Sequence, residues 1–187
     1  MISNLVTASR IVLIAPLVWL MLRPDDQSRW MALGVLALAG FTDVIDGRLA
    51  RRLGEVSAFG AMLDLISDRL LTAAVLIALM AAGRLGGWGV AAGAALIGRD
   101  LIVASFNEAL PGRLAIRVGW LERVKIACQF AAFGLLIAPP RLALAGVEQA
   151  ALGQGFLMAS AALAVVTVAD YSARVGRALR ADGGGAR

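Results

Sequence analysis

The sequence predicts an all-α integral membrane protein, a bundle of six transmembrane helices preceded by a short N-terminal interfacial helix. Of its 187 residues, 60% are hydrophobic and the mean hydropathy is +0.81, whereas soluble domains contain about 45–50% apolar residues. The length accommodates roughly six spans of ~20 residues with short connections. Residues 1–180 are therefore predicted to form a single membrane domain, and the Gly-rich tail, residues 181–187, is expected to be disordered.

The first residues differ from the apolar run that follows them. Residues 2–9 are mixed in polarity, and Asn4, Thr7 and Arg10 follow one another at three-residue spacing. This pattern fits an interfacial helix in which Arg10 lies at the level of the lipid headgroups.

Proline and glycine mark the ends of the predicted spans. Pro24 follows the first span, Gly83 the third, Pro111 the fourth and Pro139 the fifth, because these residues end helices or cannot continue them. Gly54 marks the turn between the second and third spans. The predicted spans cover residues 11–22, 30–53, 58–82, 88–110, 120–138 and 147–171.

The basic residues are distributed unequally between the two ends of these spans. One side holds both termini and the connections after spans two and four. It carries twelve Lys and Arg residues against four on the other side, with Arg69 and Arg99 at or below the interface. The basic side is the cytoplasmic one, so both termini are predicted to face the cytoplasm from the cell inner membrane. The net charge of +5 favours contact with anionic lipid headgroups over nucleic acid.

Four carboxylates lie within or beside the second and third predicted spans. Asp43 and Asp46 are three residues apart, and Asp64 and Asp68 are four apart, so each pair shares a helix face. Acids at membrane depth usually face a cavity, a partner or a substrate path. If the two helices form a hairpin, the four carboxylates converge and require cations. Oxygen ligands without His or Cys favour Mg²⁺, Mn²⁺ or Ca²⁺, and two ions suit displacement at phosphorus.

Two other interpretations of these acids remain open. They could form interfacial ion pairs with Arg48, Arg51 and Arg52, or they could belong to a cation-coupled transporter. A transporter needs a path to both membrane faces, and no matching polar cluster occurs near the opposite ends of the spans.

The acids belong to a longer pattern, D-x2-D-G-x2-A-R-x8-G-x3-D-x3-D. Its fixed positions are Asp43, Asp46, Gly47, Ala50, Arg51, Gly60, Asp64 and Asp68. The pattern resembles the motif of the CDP-alcohol phosphotransferases, integral membrane enzymes of phospholipid synthesis. The resemblance implies transfer of a phosphatidyl group from CDP-diacylglycerol to an alcohol, with release of CMP. It also implies two Mg²⁺ or Mn²⁺ ions and a homodimer.

The resemblance also implies roles for individual residues. Asp43, Asp46, Asp64 and Asp68 would bind the metal, with Asp68 also serving as the general base. The CDP-lipid would be bound by Asp46, Gly47, Ala50, Arg51 and Gly60.

The acceptor alcohol is predicted from a second set of basic residues. Arg99, Arg117, Arg123 and Lys125 gather in and around the fourth and fifth spans, where a cationic pocket would suit an acceptor that bears its own phosphate. The stretch LERVKI is similar to the start of span five in phosphatidylglycerophosphate synthases, which favours glycerol-3-phosphate. Leu65 and Arg69 are closer to phosphatidylinositol synthases, and the pair Arg99-Asp100 resembles cardiolipin synthases. Inositol, inositol phosphate and phosphatidylglycerol therefore remain alternative acceptors.

Overall fold

The computed structural model describes residues 2–53, 58–109, 119–140, 143–144 and 147–183, with burial and side chains described for 10–42, 60, 62–106, 119–140 and 148–173. These residues form six helices: α1 (Ile2–Met21), α2 (Asp26–Leu53), α3 (Ala58–Ala81), α4 (Trp88–Ala109), α5 (Trp120–Ile137) and α6 (Gln149–Gly183). Two short strands, β1 (Ala143–Leu144) and β2 (Val147–Glu148), pair antiparallel between α5 and α6. The predicted all-α class is confirmed apart from this hairpin. Helix α6 extends three residues into the predicted tail.

Helix α1 combines two elements that the sequence predicts separately. The expected interfacial helix and the first span form one uninterrupted helix, which contains Pro16. The side chain of Arg10 is 1% exposed, so it lies inside the protein rather than at its surface. A buried charged side chain is stable only when it has a partner. Arg10 has partners on α3, so α1 can continue as one helix through this buried position.

All six helices contribute to one apolar core. The core includes Leu17 from α1, Leu36 from α2, Leu76 from α3, Leu96 from α4, Phe133 from α5 and Leu157 from α6. Helix α1 packs against α2 and α3, while α6 packs against α4 and α5. Smaller contacts of α3 with α4 and α5, and of α2 with α5, join these two groups of helices. Inside a bilayer such contacts stabilise the fold through van der Waals packing, because lipid tails are as apolar as these side chains.

Two helices in the described part of the chain are long and apolar enough to cross a membrane. They are Trp88–Phe106 and Gln149–Ala173, with 19 and 25 residues, and a shorter apolar helix covers Arg10–Met21. Large apolar side chains are also exposed on α2, α3 and α5, among them Phe41, Ile77 and Phe130. The bundle is thus helical and apolar on its outside, and the full set of six spans stays a prediction.

The ends of α3 and α2 are fixed by local hydrogen bonds. Gly83 has φ +68°, a left-handed conformation that glycine adopts readily. Its N–H donates to Met80 O at 3.0 Å, and the N–H of Arg84 donates to Leu79 O at 2.9 Å, the two bonds of a Schellman motif. At the start of α2, the Ser28 N–H donates to the Asp25 carboxylate at 2.8 Å, an N-cap interaction. The bond between Ser28 and Asp25 fixes where α2 begins. The Schellman motif at Gly83 determines the direction in which the chain leaves α3 at Arg84.

The contact between α5 and α6 provides a test of this packing. A Cβ added at Gly153 would lie 2.8 Å from Leu136 Cγ and 3.3 Å from Leu135 Cβ, whereas one added at Gly155 would meet nothing within 4 Å. We expect Gly153→Ala to lower the free energy of unfolding by about 1–2 kcal/mol, since overpacking costs more than the gain in helix propensity. Gly155→Ala should be neutral or stabilising. Reversible unfolding in detergent would measure both, and equal effects would contradict the described packing.

Candidate active site

An arginine from α1 joins the two acids of the motif that lie on α3. Arg10 Nη1 donates to Asp64 Oδ1 at 3.1 Å and to Asp68 Oδ1 at 2.9 Å. The guanidinium is buried, whereas the Asp64 and Asp68 side chains are 50% and 55% exposed. A buried cation therefore holds two carboxylates whose outer parts remain accessible. Because Asp64 and Asp68 are one helical turn apart, a single nitrogen atom reaches both.

Ser67 completes this cluster from the same turn of α3. Its hydroxyl accepts a hydrogen bond from Arg10 Nη1 at 3.3 Å and donates to Asp64 O at 2.9 Å. Ser67 itself is fully buried. The side of α3 that faces α1 is thus polar at residues 64, 67 and 68. Gly60, one turn earlier, is also buried.

Sequence reasoning did not place Arg10 in this site, although one signal was present. Asn4, Thr7 and Arg10 repeat at helical spacing on one face of α1, a pattern that also fits contact with lipid headgroups. A single arginine at the border of an apolar helix, in a chain with four acids in or beside its predicted spans, is equally the signature of an ion pair.

The other half of the motif lies on α2. Helix α2 includes Asp43, Asp46, Gly47, Ala50 and Arg51, so the two acids share one face of a helix as predicted. Their side chains lie outside the described residues. Convergence of all four carboxylates therefore stays a prediction.

The acids on α3 are chemically suited to a divalent cation. Among the described residues there is no group of three or more His, Cys, Asp and Glu side chains that could hold a metal. As a pair, Asp64 and Asp68 offer hard oxygen donors that are half exposed and one helical turn apart. This donor set fits Mg²⁺ or Mn²⁺, which bind through one or two carboxylates and keep other ligands from water or substrate phosphate.

A second cluster of charges links α4 and α5. Arg99 donates from Nη1 to Asp100 Oδ1 at 3.0 Å and from Nη2 to Glu122 Oε2 at 2.8 Å. Lys125 Nζ lies 2.8 Å from Glu122 Oε1 and 3.9 Å from Asp100 Oδ1. The Lys125 side chain is only 5% exposed. Two cations and two acids thus form one largely buried network, and both predicted cations reach the same carboxylate, that of Glu122.

A hydrogen bond between α5 and α3 relates the height of this network to that of the acids on α3. The Gln129 side chain on α5 donates to Thr72 Oγ1 on α3 at 3.0 Å. Thr72 lies one turn after Asp68, and Gln129 lies one turn after Lys125, a rise of about 6 Å in each case. The contact therefore sets Asp68 and Lys125 at a similar height in the bundle. Ser160 on α6 supports the same turn of α5 by donating to Lys125 O at 3.1 Å.

The other two predicted acceptor residues are placed differently. The side chain of Arg123 is exposed, and Arg117 lies outside the described residues. Arg99 and Lys125 are therefore the predicted acceptor residues that the structure brings together. The sequence draws attention to the adjacent residues Arg99 and Asp100. It does not indicate that Arg99 also bonds Glu122 on α5.

The combination of these features defines a class of protein. An apolar helical bundle that holds hard carboxylate ligands beside buried cations has the groups needed to bind and neutralise a phosphate ester at a lipid surface. A model of the family described as CDP-alcohol phosphatidyltransferase matches residues 1–168. The chain belongs to this family, and it is a membrane-associated phosphatidyltransferase.

Characterised relatives extend this similarity over most of the chain. Three of them, each named CDP-diacylglycerol–glycerol-3-phosphate 3-phosphatidyltransferase, come from Pseudomonas fluorescens, Escherichia coli strain K12 and Shigella flexneri serotype 5b. The first is 34% identical over 188 residues, which cover 97% of this chain and 93% of the relative. The second is 30% identical over 161 residues, covering 84% and 86%, and the third is 31% identical over 144 residues, covering 75% and 79%.

Replacement of Arg10 tests its role in holding the acids. Arg10→Gln removes the cation, so Asp64 and Asp68 should repel each other and leave their present positions. We expect phosphatidyltransferase activity to fall at least tenfold and the free energy of unfolding to fall by about 2 kcal/mol. Arg10→Lys keeps the charge but loses the fixed geometry of the guanidinium, and it should retain intermediate activity.

Ser67→Ala is the matched control, because it removes one contact of Arg10 and leaves both ion pairs. It should change activity less than threefold. Wild-type activity in Arg10→Gln, measured at the same folded fraction, would show that Arg10 has no part in the site.

Proposed function

We propose that the protein transfers the phosphatidyl group of CDP-diacylglycerol to glycerol-3-phosphate, with CMP as the leaving group. Family membership supports the class of reaction, and the names of the relatives support both substrates. The assignment of glycerol-3-phosphate as the acceptor rests on the arrangement of Arg99 and Lys125. Arg99 bonds one oxygen of the Glu122 carboxylate and Lys125 bonds the other, at 2.8 Å each, at a height in the bundle similar to that of Asp68.

The donor side of the reaction is assigned to the motif. Asp43, Asp46, Asp64 and Asp68 would hold two Mg²⁺ or Mn²⁺ ions, which would neutralise the charge of the pyrophosphate. Gly47, Ala50 and Gly60 lack bulky side chains and would let the nucleotide approach the helix backbone. Arg51 would add positive charge near the phosphates.

Asp68 is the proposed general base. The acceptor hydroxyl gives its proton to the Asp68 carboxylate as its oxygen attacks the phosphorus that bears the diacylglycerol. The bond from this phosphorus to the CMP oxygen breaks, and CMP leaves with the bonding electrons. Asp68 is half exposed, so a substrate can reach it. Arg10 holds the carboxylate in place through its hydrogen bond to Asp68 Oδ1.

Arg99 and Lys125 are proposed to bind the phosphate of glycerol-3-phosphate. Their attachment to Glu122 shows that the two cations can converge on one anionic group, which is the geometry that a phosphate monoester requires. Arg117 and Arg123 would add to the positive charge around the entrance. Recognition of the phosphate would leave the hydroxyl end of the acceptor directed towards α3, where Asp68 lies.

Topology and assembly are part of the same proposal. Six spans would cross the inner membrane with both termini and the motif on the cytoplasmic side, where the excess of Lys and Arg supports this orientation. The homodimer is proposed from the resemblance to the family. The two long apolar helices within the described residues support the insertion of at least α4 and α6.

The proposed reaction is tested by CMP release from CDP-diacylglycerol by the purified protein in detergent with Mg²⁺ or Mn²⁺. Separate assays contain glycerol-3-phosphate, inositol, inositol phosphate, serine or phosphatidylglycerol. We expect release with glycerol-3-phosphate, loss of release with a chelator, and no turnover in Asp68→Asn. Release only with inositol or serine would refute the cationic pocket, and release only with phosphatidylglycerol would assign a lipid acceptor.

The acceptor site is tested by comparing two basic residues two positions apart. Lys125→Met removes the buried cation and should raise KM for glycerol-3-phosphate at least tenfold, with a smaller change in KM for CDP-diacylglycerol, since one charged hydrogen bond contributes about 1.5–3 kcal/mol. Arg123→Gln removes an exposed charge and should change either KM less than threefold. Equal effects of the two variants would indicate general electrostatic attraction instead of a defined pocket.

A further inference from the structure

The end of the bundle opposite the motif carries a separate group of arginines. Arg84 lies in the connection between α3 and α4, and Arg29 lies in the first turn of α2. Asp68 is thirteen residues before the end of α3, so this end is about 20 Å from the acids of the active site. The arginines therefore do not belong to the site already described.

The backbone sets the direction of Arg84. The Schellman motif at Gly83 turns the chain so that Arg84 points back to the C-terminus of α1. There its Nη2 donates to Met21 O at 3.1 Å and to Arg23 O at 3.5 Å. These bonds use one of the three nitrogens of the guanidinium, and they hold the group in place.

The remaining nitrogens of this arginine are buried without a hydrogen-bond acceptor. Among the described residues, Arg84 Nε and Nη1 have no partner, and the same is true of Arg29 Nε. Burial lowers the pKa of Arg84, and the positive charge of Arg29 lowers it further. Arg84 also reaches the carbonyl of Arg23, six residues before Arg29 in the chain. Three buried guanidinium nitrogens at this end of the bundle thus have no acceptor among the described residues, which is unfavourable unless an anion is present.

The nearby acids do not supply this anion. The carboxylate of Asp25 is exposed and accepts the hydrogen bond of Ser28, which lowers the pKa of Asp25. Asp26 makes contacts of its own. Within the part of the chain that the structure describes, neither Arg29 nor Arg84 forms an ion pair with a carboxylate.

The surroundings indicate what kind of anion would bind. Trp19, Trp30 and Trp88 lie at this end of the bundle with more than half of each residue exposed, as is typical of aromatic side chains at the level of lipid headgroups. Arg23 lies over the Trp19 ring, 4.4 Å from its centre. A phosphate group fits two guanidinium groups well, because its oxygens accept paired N–H bonds.

We propose that Arg29 and Arg84 form a binding site for the phosphate of an anionic phospholipid headgroup, at the end of the bundle remote from the active site. The lipid would neutralise both arginines and tie together the C-terminus of α1, the start of α2 and the end of α3. Its role would be structural, so the site is independent of the acceptor and of the reaction proposed above.

The test is thermal unfolding of the delipidated full chain in detergent. Dioleoyl phosphatidylglycerol, dioleoyl phosphatidylcholine or inorganic phosphate is added in separate series. We expect phosphatidylglycerol to raise Tm by several degrees and phosphatidylcholine to have no comparable effect. Arg84→Gln and Arg29→Gln should each lose at least half of this shift. Arg29→Gln is decisive if Arg84→Gln does not fold, because the Arg29 side chain makes no hydrogen bond within the described residues.

Arg23→Gln is the matched control, since it removes the same charge from an exposed position at the same end. It should keep the full shift. A shift with inorganic phosphate alone that both site variants lose would support the site with a free anion as its source. No shift with either anion, or a phosphatidylglycerol shift that persists in both variants, would overturn the proposal and leave Arg84 as a cap for α1.

Discussion

The buried guanidinium of Arg10 is the constraint on which the site depends. It lies between α1 and α3 and bonds two carboxylates that would otherwise repel each other. Such a charge is stable inside a protein only when its partners are fixed, so the packing of α1 on α3 and the geometry of Asp64 and Asp68 are determined together. The acids remain half exposed because the arginine approaches them from the protein side. The same contact thus anchors the fold and leaves the carboxylates available to substrate.

The rest of the site follows from how α5 is fixed relative to α3. Gln129 bonds Thr72, and Ser160 bonds the backbone at Lys125; these contacts determine the height of the charged network relative to the acids. Because Arg99 and Lys125 both bond Glu122, their side chains are ordered before any ligand arrives. Preorganised charges of this kind lose little entropy when they bind an anion. The proposed donor and acceptor sites thus lie at a similar height in the bundle, although they come from different pairs of helices.

The sequence was sufficient to predict the helices and the motif because both are local. The boundaries of α3, α4 and α5 agree with the predicted spans within one residue, and Asp64 and Asp68 share a helix face as their spacing requires. Pairing between distant residues was not predictable in the same way. Arg10 is 54 residues from Asp64, and Arg99 is 23 residues from Glu122, so neither contact leaves a periodic pattern. Charged residues also lower the hydropathy of the second half of α2, so its place as a membrane span stays a prediction.

An arginine connects α1 and α3 near each end of their contact. Arg10 reaches from α1 to the carboxylates of α3, and Arg84 reaches from the end of α3 to the last carbonyls of α1. Two contacts so far apart along one helix pair oppose both sliding and rotation of α1 against α3. The half-exposed carboxylates of Asp64 and Asp68 thus project from a pair of helices whose relative position is fixed at both ends.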